Sequence, residues 1–344
     1  MLGGALVAMS GGVDSSVAAL LALRDGFDCA GAVMKLHPCS GGSLADARAA
    51  AERLGIPFHV FDFSESFATQ VIERFVCAYR EGRTPNPCVD CNKRFKFGML
   101  LESSLALGKE FIVTGHYARI ERDDNGRLLL KKGSDALKDQ SYVLYTLTQE
   151  QLAHTLFPLG GLSKTQVREL ALDAGFENAD KCESQDICFI PDGDYVKFII
   201  EYTGIQPQKG RFVDTDGNYL GEHDGLIHYT VGQRRGMGLA MPCPVYVLKL
   251  QPESDTIVVG RNDMLFSKTL RVKDINLIPF DKLDAPLKAR VKIRYKHPEQ
   301  PAIVHQTDDN TLHIEFDSPQ RAITKGQAAV IYDGDFVVGG GTIF

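Results

Sequence analysis

Residues 5–9, Ala-Leu-Val-Ala-Met, form an apolar run that passes without a spacer into SGGVDSS (10–16). Such a run suits a parallel strand covered on both faces. Beyond it Val17, Leu20, Leu21 and Leu23 recur at helical spacing, so the polar string is expected between the carboxyl end of a buried strand and the first turn of a helix. Gly11 and Gly12 let backbone N–H groups approach a phosphate chain with no Cβ in the way. Ser10 and Ser15 can add hydroxyl donors, and the helix start adds its positive end. An acidic Asp14 beside phosphate makes sense if it holds a magnesium ion. The plain alternative is a strand-to-helix turn with Gly-Gly for geometry and Asp-Ser for capping. A lone Gly-Gly favours that alternative; the whole string between strand and helix is more specific. It lacks the Lys of a Walker loop and the G-x-G-x-x-G of a dinucleotide fold.

Apolar runs at 29–35, 58–63 and 111–120 alternate with helical stretches and short joins, which predicts a doubly wound, mainly parallel α/β sheet with its ligand at the carboxyl ends of the strands. A hairpin with an Asn-Gly turn is expected at 119–132, and a Ser-capped helix at 163–175. After about residue 200 no helical period persists. The expected division is 1–200 for the α/β domain, 201–264 for a small β-rich domain and 265–344 for a barrel-like one. The 344 residues are 44% hydrophobic and 24% charged, an ordinary globular composition without an apolar stretch of membrane-spanning length. With no leader-like start, the expected location is the cytoplasm. A net charge of −6 argues against a broad grip on nucleic acid, but residues 261–300 carry 10 Lys and Arg against 5 Asp and Glu. Lys288, Arg290, Lys292, Arg294 and Lys296 fall at alternate positions, which one strand would display on one face.

Eight cysteines in a reducing compartment serve packing, metal binding or chemistry. Cys29, Cys39, Cys77 and Cys243 stand alone and read as small buried or half-buried hydrophobes. Cys88 and Cys91 form half a zinc site, but Cys182 and Cys188 are too widely spaced for the other half in its usual form. A thiol nucleophile joined by a second thiol from distant sequence suits sulfur transfer, in which one thiol carries a persulfide and the other attacks it.

SGGVDSS itself resembles the pyrophosphate loop of N-type ATP pyrophosphatases, which cleave ATP between the α and β phosphates. Taken with NPCVDCNK (86–93), TGHYAR (114–119), KDQSYVLYTL (138–147), ESQDICFI (183–190), HYTVGQRRG (228–236) and SPQRAITKGQAAVIYDGD (318–335), the chain resembles the tRNA-specific 2-thiouridylases from residue 5 to 340. The resemblance implies ATP-dependent conversion of the wobble uridine of tRNA to 2-thiouridine, through adenylation of the C2 oxygen and sulfur transfer from a cysteine persulfide. It implies that Cys188 carries the persulfide and Cys91 closes a disulfide with it. It places ATP against Ala8, Met9, Ser10, Gly11, Gly12, Val13, Asp14, Ser15, Met34 and Gly115. It places tRNA against Asn86, His116, Lys138, Asp139, Gln140, Arg294, Tyr295 and Gln327, with Lys93, Arg94 and Lys96 beside the cysteines and Arg234 and Arg235 as weaker candidates. A cysteine desulfurase or sulfur carrier is the implied sulfur donor; no membrane partner is expected.

One departure stands out. Most members have Asp where this chain has Cys88, and a thiol of pKa about 8.5 is the poorer base at neutral pH. With Cys91 and Cys188 it makes a third thiolate, and three thiolates can hold an iron–sulfur cluster that leaves one iron open for sulfide. The rival account is a persulfide relay with Cys88 auxiliary. Outside the family, an amide- or guanidine-forming pyrophosphatase leaves the three cysteines unused, and a zinc and RNA-binding module leaves SGGVDSS unexplained.

Overall fold

The computed structural model describes residues 2–37, 41–176 and 187–344, with side chains omitted for 41–43. Cys39 and Cys182 therefore lie outside the described residues. The first seven strands are β1 (Gly4–Ala8), β2 (Asp28–Lys35), β3 (Phe58–Asp62), β4 (Phe111–Val113), β5 (Ala118–Arg122), β6 (Leu128–Lys132) and β7 (Thr155–Leu156). Five of them make a parallel sheet in the order β3-β2-β1-β4-β7. β1 is central, and its Ala5, Leu6 and Val7 are wholly buried, as an apolar run covered on both faces requires. One cover is the helix Val13–Arg24, whose small Val17, Ala18, Ala19 and Ala22 pack closely against the sheet. The order reverses between β1 and β4, so the crevice for a ligand opens where SGGVDSS leaves β1 and Thr114-Gly115-His116 leaves β4.

The run 111–120, expected as one strand, is two. β4 ends at Val113 in the parallel sheet, and β5 begins at Ala118 in another. β5 and β6 form the hairpin around Asn125-Gly126, with Gly126 at φ +86°. This hairpin joins the last sheet of the chain through the pair Lys131 and Phe336.

A four-stranded sheet follows, ordered β10-β11-β8-β9, from β8 (Gly210–Val213), β9 (Tyr219–His223), β10 (Tyr246–Gln251) and β11 (Thr256–Gly260). Phe212, Tyr229, Val247 and Ile257 fill its core. The last six strands are β12 (Phe266–Leu277), β13 (Leu287–Lys292), β14 (Gln300–Asp308), β15 (Thr311–Arg321), β16 (Ala328–Asp333) and β17 (Phe336–Ile343). They run β12-β15-β14-β13-β16-β17, and β12 pairs again with β17, closing a six-stranded barrel. Closure removes the free edges that such a sheet would expose. Between barrel and α/β part lies one apolar cluster in which Leu130, Tyr142 and Leu144 pack with Ile278, Val330 and Tyr332.

The basic stretch is shorter than its alternation suggested. β13 ends at Lys292, and the chain turns, with the His297 N–H donating to the Arg294 carbonyl (3.0 Å). Lys288 and Arg290 are exposed on the strand, whereas Arg294 turns inward and donates to the Arg321 carbonyl (3.0 Å). Cys29 is buried as expected; Cys77 and Cys243 are exposed, the first on a helix flank and the second in the loop before β10.

Candidate active site

Gly12 caps the first helix with extended backbone (φ −89°, ψ 162°), while Gly11 takes φ +76°, a region costly for a side-chain-bearing residue. Ser15 is buried, and its hydroxyl donates to the Gly12 carbonyl (2.9 Å) while accepting from the Ser10 N–H (3.1 Å). The Ser15 hydroxyl thus braces the loop instead of pointing outward as a donor. Val13 and Met9 anchor the loop in the core, Ala8 ends β1, and Met34 pairs in register with Phe61 near the end of β2.

Asp14 is not a bare anion. Its Oδ1 accepts from Lys164 Nζ (2.7 Å) and from the Tyr117 hydroxyl (2.7 Å). Sequence reading missed both partners. The available signal was a Lys at the first position of a Ser163-capped helix with no acid in its first turn, a placement that the helix dipole disfavours.

The TGHY turn between β4 and β5 closes the other side. A Cβ on Gly115 would stand 2.8 Å from the Asp14 carbonyl carbon and 2.9 Å from the Ser15 nitrogen, so only glycine fits against the loop. His116, 6% exposed, packs between Phe97 and Phe157. Its Nε2 faces Lys96 Nζ (3.4 Å), which leaves Nδ1–H to donate to Thr114 Oγ1 (2.8 Å). Burial, then the Lys96 charge, holds the His116 pKa well below its ordinary value, so it is a neutral support beneath Lys96.

Lys96 lies on the π-helical stretch Asn92–Met99 that continues the helix Pro87–Cys91. Pro87 occupies the first turn, and the Asn86 side-chain oxygen caps the helix by accepting from the Cys88 N–H (3.1 Å). Cys88 and Cys188 are exposed at the surface and Cys91 is half-buried, yet enough protein surrounds them that burial raises all three thiols, Cys91 to about 12. Accessible area governs reach and surrounding protein governs charge, so the two observations are compatible. Lys96 opposes the rise at each thiol, and Cys188 and Cys88 each bear on Cys91. The fold thus brings Cys188 to the Cys88-Cys91 helix, as two thiols from distant sequence require. Cys91 and Met34 also pack against the same apolar cluster.

Tyr295, 37% exposed, donates its hydroxyl to the Asp139 carbonyl (3.2 Å) and lies near enough to Cys88 for that thiol to raise its pKa, after burial and Asp139. Asp139 accepts from Gly133 N–H and Ser141, and Gln140 is bonded to Tyr117. Gln327 Nε2 donates to the Thr84 carbonyl (2.8 Å), tying the barrel to the segment that leads into the cysteine helix. Of the residues singled out for RNA, Asn86 caps the cysteine helix, Tyr295 stands near Cys88 and holds Asp139, and Gln327 grips the segment leading into that helix, whereas Gln140 is bound to Tyr117, Arg294 turns to Arg321, His116 lies beneath Lys96 and Arg234 lines a separate cavity of about 410 Å³ in the small β-domain.

Among the described residues no three His, Cys, Asp or Glu side chains are grouped so as to hold a metal ion. Magnesium is less demanding, since one carboxylate together with phosphate oxygens and water suffices; Asp14 fits that part, in competition with Lys164.

Family models match the chain in three consecutive pieces: a tRNA methyl transferase HUP domain over residues 4–192, a tRNA methyl transferase PRC-barrel domain over 197–261 and an aminomethyltransferase β-barrel domain over 267–343. The tRNA-specific 2-thiouridylase MnmA of Clostridioides difficile is 47% identical over 350 residues, covering 98% of this chain and 97% of the relative. That of Acetivibrio thermocellus is 47% identical over 352 residues, covering 98% of each. Among solved structures, a 4-thiouridine synthetase in complex with RNA and bound ATP aligns at TM-score 0.38 and 18% identity, covering 58% of this chain and 50% of that one. With its motifs in family order, Cys188 brought to the Cys88-Cys91 helix and near-complete alignment to these relatives, the chain belongs to the tRNA-specific 2-thiouridylase family.

Proposed function

We propose that this enzyme thiolates C2 of the wobble uridine of tRNA, using ATP and a cysteine persulfide. The observation that carries the reading is the convergence of Cys188 on Cys88 and Cys91 around Lys96, which the Lys96–His116 contact and the seat of Gly115 against residues 14 and 15 link to the glycine loop at the end of β1. Residues 8–15 with Met34 and Gly115 hold ATP, and Asp14 holds the magnesium, which supplies charge neutralisation at the phosphates. Lys164, already at the loop, adds a second cation there. The uracil, turned out of its stack, is bordered by Asn86, Lys138, Asp139, Gln140, Arg294, Tyr295 and Gln327, with His116 supporting from beneath.

The C2 oxygen of uracil is a poor leaving group. Its attack on the α-phosphorus expels pyrophosphate and turns it into AMP. The terminal sulfur of a Cys188 persulfide then adds at C2, and AMP departs with the C–O bonding pair. Cys91 attacks Cys188 Sγ, the sulfur–sulfur bond of the persulfide breaks, and its electrons stay on the sulfur now bound to C2. A Cys91–Cys188 disulfide remains, and an external dithiol must return two electrons before the next turn. Lys96 favours the thiolate that each sulfur step needs.

Incubation with ATP, magnesium, a persulfide donor and a U34 tRNA transcript, followed by nucleoside mass analysis, tests this. We expect 2-thiouridine and AMP from the wild type. Cys188→Ser should form no 2-thiouridine while still binding ATP. A wild type that leaves uridine unchanged overturns the proposal.

A further inference from the structure

Residues 133–140 connect parts of the site that are far apart in sequence. Asp135 Oδ2 accepts from the Lys164 main-chain N–H (3.0 Å), and its Oδ1 accepts from the Leu137 N–H (3.0 Å). Gln140 is joined to Tyr117 twice: its N–H donates to the Tyr117 carbonyl (3.0 Å), and its Oε1 accepts from the Tyr117 N–H (3.0 Å). At the other end of both connections, the Lys164 ammonium and the Tyr117 hydroxyl meet on the same atom, Asp14 Oδ1. Two separate paths therefore run from one carboxylate oxygen of the glycine loop to the ends of one short segment.

There is little slack between them. A Cβ on Gly133 would stand 2.7 Å from the Tyr117 carbonyl oxygen, and one on Gly160, which accepts from the Ser134 N–H, would overlap the Ala118 carbonyl. Tyr117 is 2% exposed and packed in the core of the parallel sheet. A shift of Tyr117 or Lys164 is thus passed on to the segment, because packed interiors do not deform continuously. A triphosphate in the loop would impose such a shift. It attracts the Lys164 ammonium and brings a competing cation to Asp14, so Oδ1 cannot keep both its present bonds.

We propose that residues 133–140 are the joint through which nucleotide in the 10–15 loop sets the grip on tRNA, with Tyr117 and Asp135 as its positioning residues. The proposal rests on the function above, in which that loop holds ATP and Lys138, Asp139 and Gln140 hold tRNA. Linkage makes the effect reciprocal: the factor by which nucleotide changes tRNA affinity equals the factor by which tRNA changes nucleotide affinity.

The test uses the full chain, α,β-methylene-ATP with magnesium, which cannot undergo α–β cleavage, and a U34 tRNA transcript. Each Kd is measured with and without the other ligand held saturating. For the wild type we expect both ratios to agree at about fivefold or more. Tyr117→Phe removes one hydroxyl and keeps the packed ring; Asp135→Ala severs the Lys164 connection. Either should bring the ratio below about twofold, which a merely structural role would not do. Wild-type ratios near one, with both ligands binding, overturn the joint. So does a ratio undiminished in both variants. If neither ligand binds the wild type alone, the proposed function itself falls, and the joint with it.

Discussion

In the proposed mechanism Cys91 is the thiol that closes the disulfide, and burial pushes it up to about 12, with Cys88 and Cys188 also raised. Lys96 is the opposing charge, and the neutral imidazole of His116 supports it from below. In the ligand-free enzyme all three are therefore thiols at neutral pH, and alkylation, which needs the thiolate, should be slow there. Treatment with iodoacetamide and peptide mass analysis should find Cys77 and Cys243, both exposed, modified first and Cys91 last. The rate at Cys88 and Cys188 should still climb about tenfold per pH unit above pH 8.5, where a free thiol begins to level off. A plateau at 8.5 would show that the surrounding protein does not control them. Lys96→Gln should slow both sites further. The sign for stability follows from the same shift. The folded Cys91 holds its proton more tightly than the unfolded one, so its contribution is complete below about pH 8.5 and is lost as pH rises toward 12.

At the level of elements, the segment Phe111–Arg122 does most to organise the molecule. Thr114-Gly115-His116-Tyr117 interrupts it, so that Gly115 abuts the glycine loop, His116 reaches Lys96, Tyr117 reaches Asp14 and the chain then leaves for the barrel. In the sequence, FIVTGHYARI looks like one strand because Ile112, Val113, Tyr117 and Ile120 are all strand formers; what breaks it is tertiary, the closeness of Gly115 to residues 14 and 15. The strand-loop-helix around SGGVDSS was legible, since the apolar run, the glycines and the helical period are all local signals. Lys164 was not, because its role depends on a contact 150 residues away. Nor was the inward turn at Arg294, which interrupts a periodicity that held only to Lys292. The hairpin that follows is structural. Leu130 is fully buried in the cluster shared with the barrel, so Leu130→Ala should cost about 2–5 kcal/mol, read as a lower urea midpoint with an unchanged slope. A loss under about 0.5 kcal/mol would mean that the hairpin merely rests on the barrel.

Across the whole molecule the net charge of −6 is unevenly distributed, and the 5 excess positive charges of residues 261–300 offset an acidic remainder. The fold narrows where those charges act. On β13 Lys288 and Arg290 face solvent, but Arg290 approaches Glu299, which also pairs with Lys132, while Arg294 is folded inward toward Arg321. Half-burial and the neighbouring Arg321 lower the Arg294 pKa without discharging a group that titrates so far above neutrality. β13 therefore offers RNA a few discrete cations and no continuous five-residue face, and its share of the salt dependence of binding should be correspondingly modest. If Lys288 meets a phosphate, Lys288→Gln should lower the slope of log Kd against log salt by about 0.7–0.9 and weaken binding of all tRNA sequences alike. Measurement of tRNA affinity from 50 to 300 mM KCl, for wild type and variant, decides it. Parallel lines would remove the outer face of β13 from the interface and leave the proposed recognition to the other cations, Lys93 and Arg94 next to the Cys88-Cys91 helix and Lys138 in the segment 133–140.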